Sequence, residues 1–312
     1  MESSYAIPLP LLLAAVAPVL LLTACGGDAD SASGTRVVAS FYPFAYVAEQ
    51  VGGDAVDVEN LTSPGAEPHD IELAPKQVAA VQDADLAIFE TGFQPAVDDA
   101  VDQADLSDDA RLDVADVVTL HEAEEGEHEH EGEEGHDHGS LDPHVWLDPN
   151  NMIAITEAAA DHLSDADPDH AKEFAKNAKA FTDELRGLDR AYEKGLANCE
   201  RSTIVTSHDA FGYLAARYGL EQVGIAGLDP STEPSPEQLA DITDLVREDG
   251  ITTIFTEELV SPAVAETVAD ETGADVATLD PIEGLSDDTA DETYVSLMKQ
   301  NLDALMEANG CS

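Results

Sequence analysis

Between His121 and Pro149 the chain reads HEAEEGEHEHEGEEGHDHGSLDPHVWLDP, six histidines set among acids before an apolar, proline-bounded phrase. Imidazole and carboxylate side chains in this density suit a divalent cation. Three residues elsewhere have comparable settings: His69 in GAEPHDIEL, His208 in IVTSHDAFG and Asp280 in DVATLDP. Together with His144 of LDPHVWLDP, each ends a short β-branched run or opens the loop beyond one. Ligands of open α/β sheets bind past the carboxyl ends of the strands. Two of the four come from each half of the chain, so a site that uses all of them lies between the halves. Three imidazoles and one carboxylate suit Zn²⁺, which prefers four ligands at about 2.0–2.2 Å. Mn²⁺ prefers more oxygen and is the weaker candidate. Taken singly, each histidine reads more readily as a cap or a loop hydrogen-bonder than as a ligand, and an Asp-Pro turn needs no metal.

The opening stretch divides in two. His121, His128, His130, His136 and His138 lie in a segment, residues 121–140, with almost nothing apolar to fix its backbone. A metal held there must offset an ordering entropy of roughly 1–2 kcal/mol per residue, so these histidines are expected to be weak, auxiliary ligands. His144 instead adjoins Val145, Trp146 and Leu147, which can anchor it against a core. Pro68, Pro143 and Pro281 stiffen the candidate loops, and Asp70 or Asp209 is expected to orient an imidazole from behind. His162 and His170 flank a helix junction and read as surface residues.

The elements that must position these residues alternate. Strand-like RVVASF, AVDVENL and DLAIFE are separated by helical stretches from Pro43 to Val51, APKQVAAVQDA and QPAVDDAVDQA. After the acidic segment, Asp148 and Pro149 open a helix to about Asp165, and a second runs from Asp167-Pro168 to about Asn198. The pattern then resumes: STIVTS, EQVGIAGL, ITTIFTEE and DVATLD as strands, with helices between and a final helix from about Asp287. Strands alternating with helical periods indicate βαβ units and mainly parallel sheets. The expected fold is two α/β lobes, residues 36–165 and 200–312, joined by one long helix over 166–199. That helix carries Lys172, Lys176, Lys179, Arg186, Arg190 and Lys194, with Arg201 close behind, an unusual share of the chain's 13 basic residues.

Against those 13 stand 66 acids, a formal charge of −53. Such a surface repels nucleic-acid phosphates and attracts cations without selecting among them. Adaptation to high salt accounts for most of it. Residues 1–24 contain an apolar run, AIPLPLLLAAVAPVLLLTA, that reads as a secretory signal, although the first ten residues hold Glu2 and no Lys or Arg. The following Cys25, in LTACGG, resembles the lipidated cysteine of bacterial lipoproteins, and residues 25–35 read as a tether. Export to an oxidising compartment leaves Cys199 and Cys311 as one candidate disulfide, with two separate thiols the alternative.

The chain has no GxSxG, HExxH, phosphate loop or dinucleotide fingerprint, so an enzyme is not expected. Glu67, Glu257 and Glu258 could each be a general base, and nothing selects among them. The segments PGAEPHDIELAPKQVAAVQDADLAIF, DPHVWLDPNN, IVTSHDAFGYLAARYGL and IFTEELVSPAVAETVADETGADVATLDPIEGL resemble the metal-binding solute-binding lipoproteins of bacterial ABC importers, the zinc/manganese cluster. The resemblance runs from Arg36 to the C-terminus. It implies two α/β lobes, a rigid linking helix, a cleft metal held by His69, His144, His208 and Asp280, and delivery to a membrane permease. It further implies a monomer lipid-anchored to the outer face of the cytoplasmic membrane. Manganese-type members carry a carboxylate where this chain has His208. Some zinc members place an acid directly before the first ligand; Pro68 stands there in this chain. An extracellular metal-dependent enzyme and a surface adhesin or zinc store are the alternatives.

Overall fold

A computed structural model of the chain describes residues 1–2, 34–122 and 141–312. Cys25, His128, His130, His136 and His138 lie outside the described residues. Gly34–Ser312 form one compact unit. Its first half runs β1 (Thr35–Ala39), α1 (Tyr42–Gly52), β2 (Val56–Asn60), α2 (Pro75–Asp83), β3 (Leu86–Phe89), α3 (Pro95–Ala104) and β4 (Arg111–Asp113). A two-stranded ladder, β5 (His121–Glu122) and β6 (Leu141–Asp142), precedes the helices α4 (Pro149–Ala166) and α5 (Ala171–Gly195). The second half continues β7 (Thr203–Thr206), α6 (Gly212–Tyr218), β8 (Glu221–Gly224), α7 (Pro236–Asp249), β9 (Thr253–Thr256), α8 (Ala263–Thr272), β10 (Asp275–Thr278) and α9 (Tyr294–Asn309).

The two lobes share one topology. The first sheet is ordered β2-β1-β3-β4 and the second, read from the other edge, β8-β7-β9-β10. All pairings within these sheets are parallel. In each, the chain steps first to one side of its opening strand and then to the other. That reversal leaves a crevice at the carboxyl ends of β1 and β3, and of β7 and β9. Central strands such as LAIF of β3 are buried throughout, which is why they read as continuous apolar runs.

Local chemistry sets the helix starts. The Asp148 carboxylate accepts from the Asn150 N–H at 2.8 Å with Pro149 in the first turn, and Ser235 and Gln238 form a capping box ahead of α7. The long helix α5 spans 25 residues, about 38 Å, and buries Phe174, Ala178, Phe181, Leu185, Leu188 and Tyr192 along one stripe. It packs against α1, α4 and α9, so it touches elements of both halves. One apolar cluster extends from Val37 to Ala308 through Trp146, Phe181, Phe211 and Tyr294, and smaller cores lie on the outer side of each sheet. The two lobes therefore share a continuous core.

Three expectations need correction. The last helix begins at Tyr294, where Thr293 caps it, and Asp287–Glu292 are turns and loop. The linking helix is shorter than 166–199, because Asp167–His170 form a turn between α4 and α5. β4 was not expected; three residues flanked by acids carry no usable period. The sulfurs of Cys199 and Cys311 are bonded, and the Ser312 N–H donates to the Asn198 carbonyl beside them at 3.0 Å.

Candidate metal centre

Each candidate side chain is held by the loop that follows a strand. His69 lies between β2 and α2. Its N–H donates to both oxygens of Glu67 at 3.2 Å, and the Pro68 carbonyl accepts from Gln94 Nε2 at 3.0 Å. The Phe93 ring meets the imidazole edge-on, with centroids 4.8 Å apart. His144 follows β6 and opens a 3₁₀ turn, Val145–Leu147, whose three side chains are fully buried. The Trp146 indole N–H donates to the Pro281 carbonyl at 2.6 Å, which ties this turn to the loop after β10. His208 follows β7, and its carbonyl accepts from Thr206 Oγ1 and Gln222 Nε2.

These three histidines converge with Glu283, from the loop after β10, so that one ligand atom of each lies within 4.8 Å of the others. Glu283 Oε1 stands 3.4 Å from His69 Nε2, 3.3 Å from His144 Nε2 and 3.5 Å from His208 Nε2. The His144 and His208 Nε2 atoms are 3.2 Å apart. A tetrahedron with ligands at about 2.0–2.1 Å from its centre has edges of about 3.3–3.4 Å. Four of the six edges, the three from Glu283 and the one between His144 and His208, stand close to that figure, and the two remaining edges, from His69 to the other imidazoles, lie within 4.8 Å, so the donor set suits a four-coordinate Zn²⁺ in its chemistry. His144, His208 and Glu283 are buried, and His69, its side chain 10% exposed, forms the side open to solvent.

Two carboxylates fix which nitrogen of the buried imidazoles faces the centre. Asp142 Oδ1 accepts from the N–H of His144 at 2.9 Å and lies 2.8 Å from its Nδ1. Glu257 does the same for His208, with its Oε1 3.1 Å from the backbone nitrogen and 2.8 Å from Nδ1. A proton on each Nδ1 leaves the Nε2 lone pair for metal, the carboxylate–histidine–metal arrangement. Burial pulls the His208 imidazole toward neutrality, but Glu257 and Glu283 outweigh it and raise its pKa to about 10. Burial likewise opposes charge on His144, and Asp142 and Glu283 raise it. For Glu283, burial works against ionisation, yet hydrogen bonds from three imidazoles hold it well below the ordinary carboxylate range. Glu257→Gln, which removes the orienting charge and keeps the shape, is expected to weaken zinc binding on the order of tenfold in a competition titration. Wild-type affinity in that variant would mean that packing alone orients His208.

The fourth ligand position is a correction. Asp280 does not join the cluster. Its Oδ1 accepts from the Ile282 N–H at 2.7 Å, and Asn301 clamps its backbone through two hydrogen bonds. Burial, and then the carboxylates of Glu258, Glu283 and Glu257, push its pKa up to about 7 against the Ile282 N–H. Ile282 adopts a left-handed φ of 59°, and the turn it makes carries Glu283 into the centre. The orienting residues are also corrected. Asp70 is exposed, and the Asp209 carboxylate lies against the backbone of Gly224. The sequence signal for Asp142 is its place two residues before His144, whereas Glu257 stands among several acids with nothing local to distinguish it.

His121 is exposed, with its ring stacked on Tyr213. His162, half-buried, donates from Nδ1 to the Asp109 carbonyl at 2.9 Å, and His170, exposed, pairs with Asp167; neither belongs to the centre.

Residues 37–308 match the family model described as zinc-uptake complex component A, periplasmic. The chain is similar to the zinc-binding lipoprotein AdcA of Streptococcus pneumoniae serotype 4, at 40% identity over 303 residues, covering 95% of this chain and 60% of that protein. It is similar to the high-affinity zinc uptake system protein ZnuA of Bacillus subtilis, at 37% over 302 residues, covering 93% and 94%. The Zn(II)-bound ZnuA-like domain of Streptococcus pneumoniae AdcA superposes with a TM-score of 0.74 at 36% identity, covering 88% of this chain and 99% of that one. The chain thus spans about three-fifths of the length of the pneumococcal relative.

Proposed function

This chain belongs to the periplasmic zinc-uptake component A family, and from that membership we propose that it captures Zn²⁺ outside the cytoplasmic membrane and delivers it to the permease of an ABC importer. The observation that carries the reading is the convergence of His69, His144, His208 and Glu283, with one ligand atom of each within 4.8 Å of the others and the Glu283 oxygen 3.3–3.5 Å from all three imidazole nitrogens. Three imidazoles favour Zn²⁺ over Mn²⁺. The continuous core and the helix α5, packed against elements of both halves, support a tightening of loops around the ion in place of a wide hinge motion. Backbone contact already links the ligand loops of the two lobes, since the Gly65 N–H donates to the Leu285 carbonyl at 2.8 Å.

We read the protein as a binding component and not as an enzyme: three imidazoles and Glu283 supply the four ligands that Zn²⁺ takes. No helix among the described residues is long and apolar enough to cross a membrane. Attachment is assigned to lipid on Cys25, and the monomer is the working unit. The histidines of the acidic segment serve as weak, rapidly exchanging sites that gather zinc near the cleft.

Competition titration of protein purified without chelator tests this. One tight zinc site is expected, retained when residues 123–139 are deleted and lost in His144→Ala. Loss of tight binding on the deletion, with retention in His144→Ala, would overturn the assignment.

A further inference from the structure

We propose that Tyr213 is a positioning residue for the zinc site, holding His144 through Asp142 and tying that ligand to the β5–β6 ladder. The inference rests on the zinc-capture reading above. Asp142 has two tasks: its carboxylate orients His144, and its backbone belongs to β6, paired with His121 of β5. The Tyr213 hydroxyl donates to the Asp142 carbonyl at 2.9 Å and accepts from the His121 N–H at 2.8 Å. One buried hydroxyl therefore bridges both strands of a ladder only two residues long. So short a ladder has little stability of its own, and an outside support decides where Asp142 sits.

The start of α6 provides that support on a second side. A Cβ on Gly212 would stand 2.6 Å from Asp142 Oδ2, so the absence of a side chain there lets the carboxylate lie against the helix. Tyr213 is 2% exposed and Asp142 5%, so both are shielded from bulk solvent. The imidazole of His121 stacks on the Tyr213 ring at 4.2 Å. The hydroxyl bonds to Asp142 and the ring stacks on the His121 imidazole, so a loss of the hydroxyl alone separates the two roles. The histidine-rich sequence 123–140 enters and leaves through this ladder. The backbone of that entry point and the orientation of His144 share one hydrogen-bonding group.

The test measures Zn²⁺ affinity by competition and the visible absorption of bound Co²⁺, which reports ligand geometry. Tyr213→Phe keeps the ring and is expected to weaken Zn²⁺ binding about tenfold, with an altered Co²⁺ spectrum. Gly212→Ala, which displaces Asp142 from the other side, is expected to do the same. Tyr218→Phe removes a hydroxyl from the same helix, one that donates to Asp189, and is expected to change neither reading. In an Asp142→Ala background, Tyr213→Phe should add nothing, because the coupling runs through Asp142. Wild-type affinity and spectrum in Tyr213→Phe, or full additivity with Asp142→Ala, would overturn this inference while leaving zinc capture intact. Absence of tight zinc binding in the wild type would overturn the capture reading itself.

Discussion

Glu283→Gln is expected to abolish most of the thermal stabilisation that zinc confers, whereas Asp280→Asn keeps it. A metal bound only by the folded chain adds RT ln(1 + [L]/Kd), about 4 kcal/mol at a thousandfold excess over Kd. At about 2–4 °C per kcal/mol for a large domain, the wild type should gain about 8–16 °C. The Gln variant keeps the volume and loses the charge that stands 3.3–3.5 Å from all three imidazole nitrogens. Asp280 is bound to the Ile282 N–H and lies outside the cluster, so its amide should leave the ligand set unchanged. Scanning calorimetry with and without Zn²⁺ separates the two. An equal zinc shift in Glu283→Gln and wild type, with the shift lost in Asp280→Asn, would return the fourth position to Asp280.

Zinc affinity is expected to rise steeply with pH through neutrality. In the metal-free centre the His208 imidazole keeps its proton up to a pKa of about 10, and His144 is raised as well. Zinc must displace those protons, and each one displaced makes the affinity rise about tenfold per pH unit. Between pH 6.5 and 8.5 the apparent Kd should therefore fall about a hundredfold for a single proton. The stability of the metal-free protein moves the other way. A folded pKa above the unfolded value of about 6.5 means that His208 contributes fully below that pH and loses its contribution as pH rises through about 10. Glu283, with its pKa depressed, contributes above the ordinary carboxylate range and loses its contribution only as pH falls to its own low value. Melting temperatures from pH 7 to 10 should fall without zinc and hold with it. An affinity that stays flat between pH 6.5 and 8.5 would rule out a protonated imidazole at the metal-free centre.

The sequence by itself determined the strand–helix alternation, because the buried central strands and the apolar stripe of α5 leave periods that need no tertiary knowledge. It also singled out His69, His144 and His208, since a histidine just past a strand end stands where open sheets bind ligands. The topology 2-1-3-4, repeated in both halves, brings those ends together. Only the tertiary structure decided between two acids three residues apart. Asp280 and Glu283 share the phrase LDPIEGL, and a left-handed residue at Ile282 turns one inward while the Ile282 N–H holds one oxygen of the other. No pattern of residue types marks a non-glycine position for that conformation, because packing imposes it. The orienting carboxylates were hidden for a related reason: Glu257 lies 49 residues from His208 and meets it only because β7 and β9 are neighbours in the sheet.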